Sequence, residues 1–406
     1  MAVVLSGGGA RAAYQVGVLR AIAAMLPREA RNPFPIICGT SAGAINATSL
    51  ASNADRFEAG IARLVEVWGS LHVDDVYRSD LGGLVRGLHR CLVALLGRRE
   101  RQSQAVSLLD CRPLGSLLGR MIDFGRIQRV IEAGHLKALS VTASSYATGD
   151  SVTFFQGDGS NKPWQRAHRI GRSAQIDLSY VLASCALPIV FPAIRIGDEH
   201  FGDGSMHQLA PISAALHLGA RRVLAIGVGS HSVGERRAHD CAVRPSLAQI
   251  AGHMLDAIFI DTLDMDLERL QRVNQTLARV RPGPSEEASP ALKTVATLII
   301  RPSERMDAIA ASHAQELPRA MRFLARRTGV LDPSGAGMLS YLLFEKGYCR
   351  HLLDLGFTDA TSRRAEILAF LGYESCNTES ANVRMPVDLA EGAPWGPVRA
   401  TMDEPA

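Results

Sequence analysis

The stretch Ile36-Ile37-Cys38-Gly39-Thr40-Ser41-Ala42-Gly43-Ala44-Ile45 constrains this chain more than any other. An apolar run of strand length enters the turn Gly39-Thr40-Ser41-Ala42-Gly43, and small residues continue beyond it. Gly-x-Ser-x-Gly in that setting has the form of a nucleophile elbow, with a serine at the tip of a strained strand-to-helix turn. Bulky side chains at the flanking positions would strike the strand or the helix, which is why glycine is needed on both sides. The pentapeptide alone is a weak pattern. Its weight comes from the strand before it and from partners elsewhere.

Upstream, Val3 to Ser6 reads as a short buried strand running into Gly7-Gly8-Gly9-Ala10-Arg11-Ala12. Val16, Leu19, Ile22, Ala23 and Leu26 then fall at helical spacing, and Pro27 limits the helix. The loop offers several unobstructed backbone N–H groups at a helix N-terminus, where negative charge is favoured. Strand, helix, strand and helix within the first 52 residues predict parallel α/β topology.

Downstream, Phe57, Ile61, Leu64, Val65 and Trp68 mark an amphipathic helix. Residues 81–101 combine a leucine stripe with Arg86, Arg90, Arg98, Arg99 and Arg101. Such a basic amphipathic helix either packs on the domain with a solvated face or lies on an anionic membrane. Asp110 is expected to cap a helix through Met121, and Leu139–Ala143 and Ser151–Phe155 read as strands joined by a turn. A strand-turn-strand through Ile194 to Phe201 delivers Gly202-Asp203-Gly204-Ser205, an acid between two glycines. Helices are expected at Leu209–Leu218, Leu247–Val280, Arg319–Arg327 and Met338–Leu355, and strands at Arg222–Val228 and Val295–Ile300. Polar stretches at Ser230–Arg244 and 281–293 read as loops, and a disordered tail is expected from about Tyr373. The expected organisation is a catalytic core over 1–229, a strand and helical extension over 230–372 packed on it, and a polar tail over 373–406.

Composition narrows the classes. A net charge of +4 on 406 residues gives no basis for nucleic-acid binding. Seven scattered cysteines, an odd number without a CxxC pair, argue for free thiols in a reducing compartment. The start at Ala2-Val3-Val4-Leu5 lacks the form of a signal peptide, and no apolar run approaches the ~20 residues of a spanning helix. A cytoplasmic protein is therefore expected, peripheral at a membrane if residues 81–101 dock there.

A serine alcohol needs a base, and the tetrahedral intermediate of ester cleavage needs hydrogen-bond donors. Ser41 can supply the alcohol and the glycine loop the donors, while no histidine sits in a recognisable catalytic turn. Asp203 does, because its flanking glycines let the carboxylate approach another backbone closely. Gly7-x-Gly9-x-x-Ala12 also fits a dinucleotide fingerprint, but the second strand ends in Cys38-Gly39-Thr40-Ser41 where that fold needs a ribose-binding acid. His200, Asp203 and His207 lack regular metal-ligand spacing.

The glycine loop, the elbow and the Asp203-Gly204 turn stand in the order found in the patatin-like phospholipase family, and the chain resembles its bacterial cytoplasmic members. Ala183-Ser184-Cys185-Ala186-Leu187-Pro188 to Phe191-Pro192 resembles a further family segment. The resemblance runs from Ala2 to about Gly229; Ala12 and Ser205 depart from its usual residues, Gly and Gly or Ala respectively. It implies a three-layer α/β/α sandwich with a mainly parallel central sheet and a helical C-terminal extension. It further implies a Ser–Asp dyad of Ser41 and Asp203, with an oxyanion hole at Gly7, Gly8, Gly9, Ala10 and Arg11. Gly39, Thr40, Ala42 and Gly43 would shape the elbow and Gly204 the proton-acceptor turn, with no metal or other cofactor. The expected substrate is a lipid ester, phospholipid or lysophospholipid. Acyl transfer by the same dyad and a non-catalytic membrane- or partner-binding scaffold are the alternatives.

Overall fold

The computed structural model describes residues 1–27, 30–78, 82, 107–229, 246–279, 293–332 and 335–373. The expected helix over 81–101, the loops at Ser230–Arg244 and 281–293, and the tail after Tyr373 lie almost wholly outside the described residues.

Ten strands form one sheet: β1 (Ala2–Leu5), β2 (Ile36–Thr40), β3 (Ala138–Ser145), β4 (Ser151–Gly157), β5 (Trp164–Arg166), β6 (Arg169–Ser173), β7 (Ile194–Ile196), β8 (Glu199–Asp203), β9 (Arg222–Ile226) and β10 (Ala296–Ile300). Eight of them follow the order β10-β9-β1-β2-β3-β4-β6-β5, with β8 pairing β3 and β7 off this path, and the run from β10 to β3 is parallel throughout. Side chains alternate across each strand, so β1 and β2 feed two cores. Val3, Leu5 and Ile37 face a large core with helices α1 (Ala13–Met25), α2 (Ala42–Ser52) and α3 (Phe57–Ser70). Ala2, Val4, Ile36 and Cys38 face a second core. Helices between them cover both faces, which makes the fold the expected α/β/α sandwich.

The C-terminal part joins this frame. β10 extends the parallel sheet beyond β9. A helix at Lys346–Ser362 crosses α1 where Gly17 and Gly356 let the backbones touch; a Cβ on either glycine would lie about 2 Å from the other helix's carbonyl oxygen. Tyr14 reinforces the crossing by donating to Asp359 at 3.0 Å.

Two long helices of the sequence reading are each divided. Leu247–Val280 forms Leu247–Phe259 and Asp261–Arg279, with Ile260 packed against Gly229 at the break. Met338–Leu355 forms Ala336–Leu342 and Lys346–Ser362. The three residues between them carry buried Phe344 toward the central cavity and let Glu345 bond the Val73 N–H and His72. Asp110 does not cap the next helix, Arg112–Met121, whose N-cap is Cys111; its carboxylate instead binds the Arg112 guanidinium and N–H.

Candidate active site

β3 explains why the two key turns meet. β2 pairs with Ala138–Thr142 of β3 in parallel, ending at Thr40 opposite Thr142. β8 pairs antiparallel with Ala143–Ser145, ending at Asp203 opposite Ala143. β4 occupies the other edge of β3. β2 and β8 therefore run toward each other along one edge, and their C-terminal ends abut. Ser41 leaves one end and Asp203 closes the other.

At that junction Ser41 Oγ donates to Asp203 Oδ2 at 2.6 Å. Ser41 has φ 54°, a strained conformation for a non-glycine residue that turns the chain from β2 into α2. The elbow glycines are set by contact: a Cβ on Gly43 would fall 2.2 Å from the Leu5 carbonyl oxygen, and one on Gly39 2.5 Å from that of Gly43. Thr40 packs beside Gly204, and Ala42 opens α2 on the cavity wall.

Both partners are held from behind. The Ser41 N–H donates to Ser184 Oγ at 2.8 Å, and Ser184 in turn donates to the Thr142 carbonyl at 2.6 Å. The Asp203 N–H donates to the Ala186 carbonyl, its carbonyl accepts from Ser144 Oγ, and Oδ1 accepts from the Ser205 N–H at 2.9 Å. Asp203 is 1% exposed. Burial pushes its carboxyl up to about 6, against the lowering by hydrogen bonds from Ser41 and the Ser205 N–H. Among the described residues no histidine bonds either side chain.

The glycine loop closes the site from β1. Gly9 borders the same cavity as Ser41. The loop enters a short 3₁₀ turn, Gly9–Ala12, in which the Arg11 N–H donates to the Gly8 carbonyl. That amide is spent, so Arg11 offers no free main-chain donor, in contrast to its assignment with Gly7, Gly8, Gly9 and Ala10. Its guanidinium is 5% exposed and turns into the C-terminal helices. Ala12 has φ −66°, an ordinary right-handed value, so alanine costs nothing there. Ser205, the other departure, places a buried hydroxyl under Gly7 with no hydrogen-bond partner among the described residues.

From Ser41 a narrow cavity opens between α3, Arg112–Met121 and Phe344. Its walls are apolar: Ile45, Trp68, Leu114, Leu118, Met121 and Phe191. Trp68 is fixed by its indole N–H bond to Asn46 at 2.8 Å. An apolar lining of this kind beside Ser41 suits a hydrocarbon chain.

The glycine loop, elbow and acid turn thus converge as the sequence order suggested. The supporting roles of Ser184 and Ser144 carried no readable signal of their own, because each acts through a pairing more than forty positions away. Ser184→Ala removes the acceptor of the buried Ser41 N–H and should cost about 1–3 kcal/mol of stability. It is also expected to slow reaction at Ser41 by about tenfold. Thermal melting and the rate of Ser41 labelling by a fluorophosphonate read the two effects.

A serine on a strand-to-helix elbow, joined to a buried carboxylate at the head of a mainly parallel sheet, defines an elbow-type α/β protein. The chain belongs to the patatin-like phospholipase family, which residues 3–216 match over more than half of its length. It is 28% identical over 214 residues to a cGAMP-activated phospholipase of Pseudomonas aeruginosa, a match covering 52% of this chain and 54% of that one. The chain thus aligns with about half the length of that curated relative. The crystal structure of VipD from Legionella pneumophila aligns with 87% of this chain and 66% of its own, at 14% identity and a TM-score of 0.33. Among the described residues no helix is long and apolar enough to cross a membrane.

Proposed function

We propose that the chain is a serine acyl hydrolase that cleaves carboxyl esters of phospholipids or lysophospholipids, with Ser41 as nucleophile and Asp203 as its base. The observation that carries this reading is the 2.6 Å hydrogen bond from Ser41 Oγ to Asp203 Oδ2 at the floor of an apolar cavity. The other carboxylate oxygen is held by the Ser205 N–H, so Oδ2 is already aimed at the proton it takes.

In the first half-reaction Ser41 Oγ attacks the ester carbonyl as its proton passes to Asp203. The resulting oxyanion turns toward the main-chain N–H groups of Gly8, Gly9 and Ala10. Collapse expels the alcohol, which takes the proton back from Asp203 and leaves an acyl group on Ser41. Water then repeats the sequence: Asp203 removes its proton, the acyl–oxygen bond breaks, and Ser41 regains its hydrogen. The apolar cavity holds the acyl chain while the polar headgroup stays outside it. Asp203 takes the Ser41 proton in its ionised form, which burial confines to pH above about 6.

A fluorophosphonate probe and a lipid panel test this directly. Labelling confined to Ser41, with hydrolysis of phospholipid or lysophospholipid lost in Ser41→Ala, is the expected result. Undiminished hydrolysis in Ser41→Ala would sink the assignment.

A further inference from the structure

Arg11 reaches away from the site its backbone serves. Nε donates to Ser340 Oγ at 2.8 Å and Nη1 to Tyr341 Oη at 3.0 Å, with Asp256 at 3.3 Å. Its guanidinium also lies 3.9 Å from the centre of the Tyr341 ring, and Tyr341 Oη donates to Asp256 at 2.7 Å. Burial opposes the charge, but Tyr341, Asp256, Tyr348 and Asp307 together outweigh it and hold the guanidinium above its usual range. Asp256, Ser340 and Tyr341 stand on the helices Leu247–Phe259 and Ala336–Leu342, beyond the residues that match the family.

The same helices touch the loop at two more places. A Cβ on Gly9 would lie 2.2 Å from the Tyr341 carbonyl oxygen, and one on Gly7 2.7 Å from the Phe259 ring. Phe259 and Tyr341 stack on each other with centroids 5.2 Å apart. Residues 7, 9 and 11 of the loop thus bear on one aromatic pair, and Arg11 is the only one of them tied to it by hydrogen bonds. Gly9 has φ 55°, a conformation glycine adopts without strain and a larger residue would not.

We infer that Asp256, Ser340 and Tyr341 are positioning residues which hold the glycine loop through Arg11, so that the C-terminal helices complete the oxyanion-binding side of the site. This rests on the acyl-hydrolase reading above. None of the three touches the reacting atoms; each acts by fixing the main chain that presents Gly8, Gly9 and Ala10. A displacement of the loop by about 1 Å is enough to cost on the order of 100-fold in rate.

The test uses the full chain and two readouts, the rate of Ser41 labelling by a fluorophosphonate and kcat and KM on a short p-nitrophenyl ester. Tyr341→Phe keeps the ring and its stacking but removes the hydroxyl shared by Arg11 and Asp256. It is expected to lower labelling and kcat by about tenfold or more, with KM changed less than about twofold. Ser340→Ala should act in the same direction more mildly, and it serves if Tyr341→Phe lowers the melting temperature substantially. Arg11→Lys combined with Tyr341→Phe should be no slower than the slower single variant, because both break one linkage. The proposal falls if Tyr341→Phe, Asp256→Asn and Ser340→Ala all label at the parental rate, or if the Arg11 and Tyr341 effects multiply independently. Full labelling of Ser41→Ala would instead overturn the dyad, and the proposal with it; a dead Ser41→Ala beside unimpaired Tyr341→Phe, Asp256→Asn and Ser340→Ala removes the proposal alone.

Discussion

Asp203→Asn is expected to abolish ester hydrolysis while making the folded protein more stable at neutral pH. The kinetic half follows from the base role. An amide can still accept from the Ser205 N–H and meet the Ser41 hydroxyl, so the turn survives, but it cannot take the proton. Removal of a positioned base lowers the rate by roughly 10³-fold or more. In the parent, kcat/KM should rise about tenfold per pH unit below about 6 and level off above it, as the Asp203 carboxyl ionises.

The stability half has the opposite sign to the usual salt-bridged aspartate. Burial raises this carboxyl from 3.8 in an open chain to about 6 in the fold, against the hydrogen bonds from Ser41 and Ser205 that favour its charge. Between those values the folded chain binds more protons than the unfolded one, so stability declines as pH rises through the window. The gap is about two pH units, each worth about 1.4 kcal/mol, which makes about 3 kcal/mol the scale of what ionised Asp203 costs at pH 7. A neutral amide removes that cost. Melting temperatures of parent and Asp203→Asn should therefore separate by a few degrees at pH 7.5 and converge below about pH 4. Equal melting curves at both pH values, or a hydrolysis rate left within tenfold of the parent, would count against Asp203 as a buried base.

Much of this was legible in the sequence for a local reason. Strands with an apolar run, such as Ile36–Thr40 and Arg222–Ile226, announce themselves because both faces of a parallel sheet are buried. The turns announce themselves because Gly39, Gly43 and Gly204 stand where a side chain would meet backbone. The short strands Trp164–Arg166 and Arg169–Ser173 give no such signal, being polar and half-exposed at the sheet edge. Helix breaks at Ile260 and Leu343–Glu345 are likewise silent, since no proline or glycine marks them and each is set by a tertiary neighbour.

The site divides in the same way. Ser41 and Asp203 are readable because each sits in its own glycine turn, yet the distance between them is a property of β3, where two strands share one edge. The family resemblance puts Arg11 among the oxyanion donors. Its main-chain N–H is used inside the turn, and its side chain belongs to residues more than two hundred positions away. Only the packed structure can show that, because a buried arginine reveals nothing in sequence about which carboxylate it meets.

Gly204→Ala is the second large effect, and it isolates that shared strand edge. A Cβ there would lie 1.9 Å from the Thr142 carbonyl oxygen, 2.6 Å from its carbon and 2.9 Å from Thr40 Cγ2. Two of these are backbone atoms, so no side-chain rotation relieves the contact. The Thr142 carbonyl also accepts from Ser184 Oγ, which holds the Ser41 N–H. One methyl group therefore pushes on both ends of the abutment: it parts β8 from β3 on the Asp203 side and disturbs the support of Ser41 on the other. A loss of about 3 kcal/mol or more is expected, with labelling of Ser41 slowed by about 100-fold. Gly119→Ala supplies the matched control. It makes the same chemical change in the helix Arg112–Met121, where an added Cβ meets nothing within 4 Å, and should stabilise by up to about 1 kcal/mol with labelling unchanged. Opposite signs for the two substitutions in thermal melting attribute the Gly204 effect to the contact with Thr142. A Gly204→Ala variant that melts and labels like the parent would mean that the two strand ends are not held against β3 as described, and the 2.6 Å approach of Ser41 to Asp203 would need another cause.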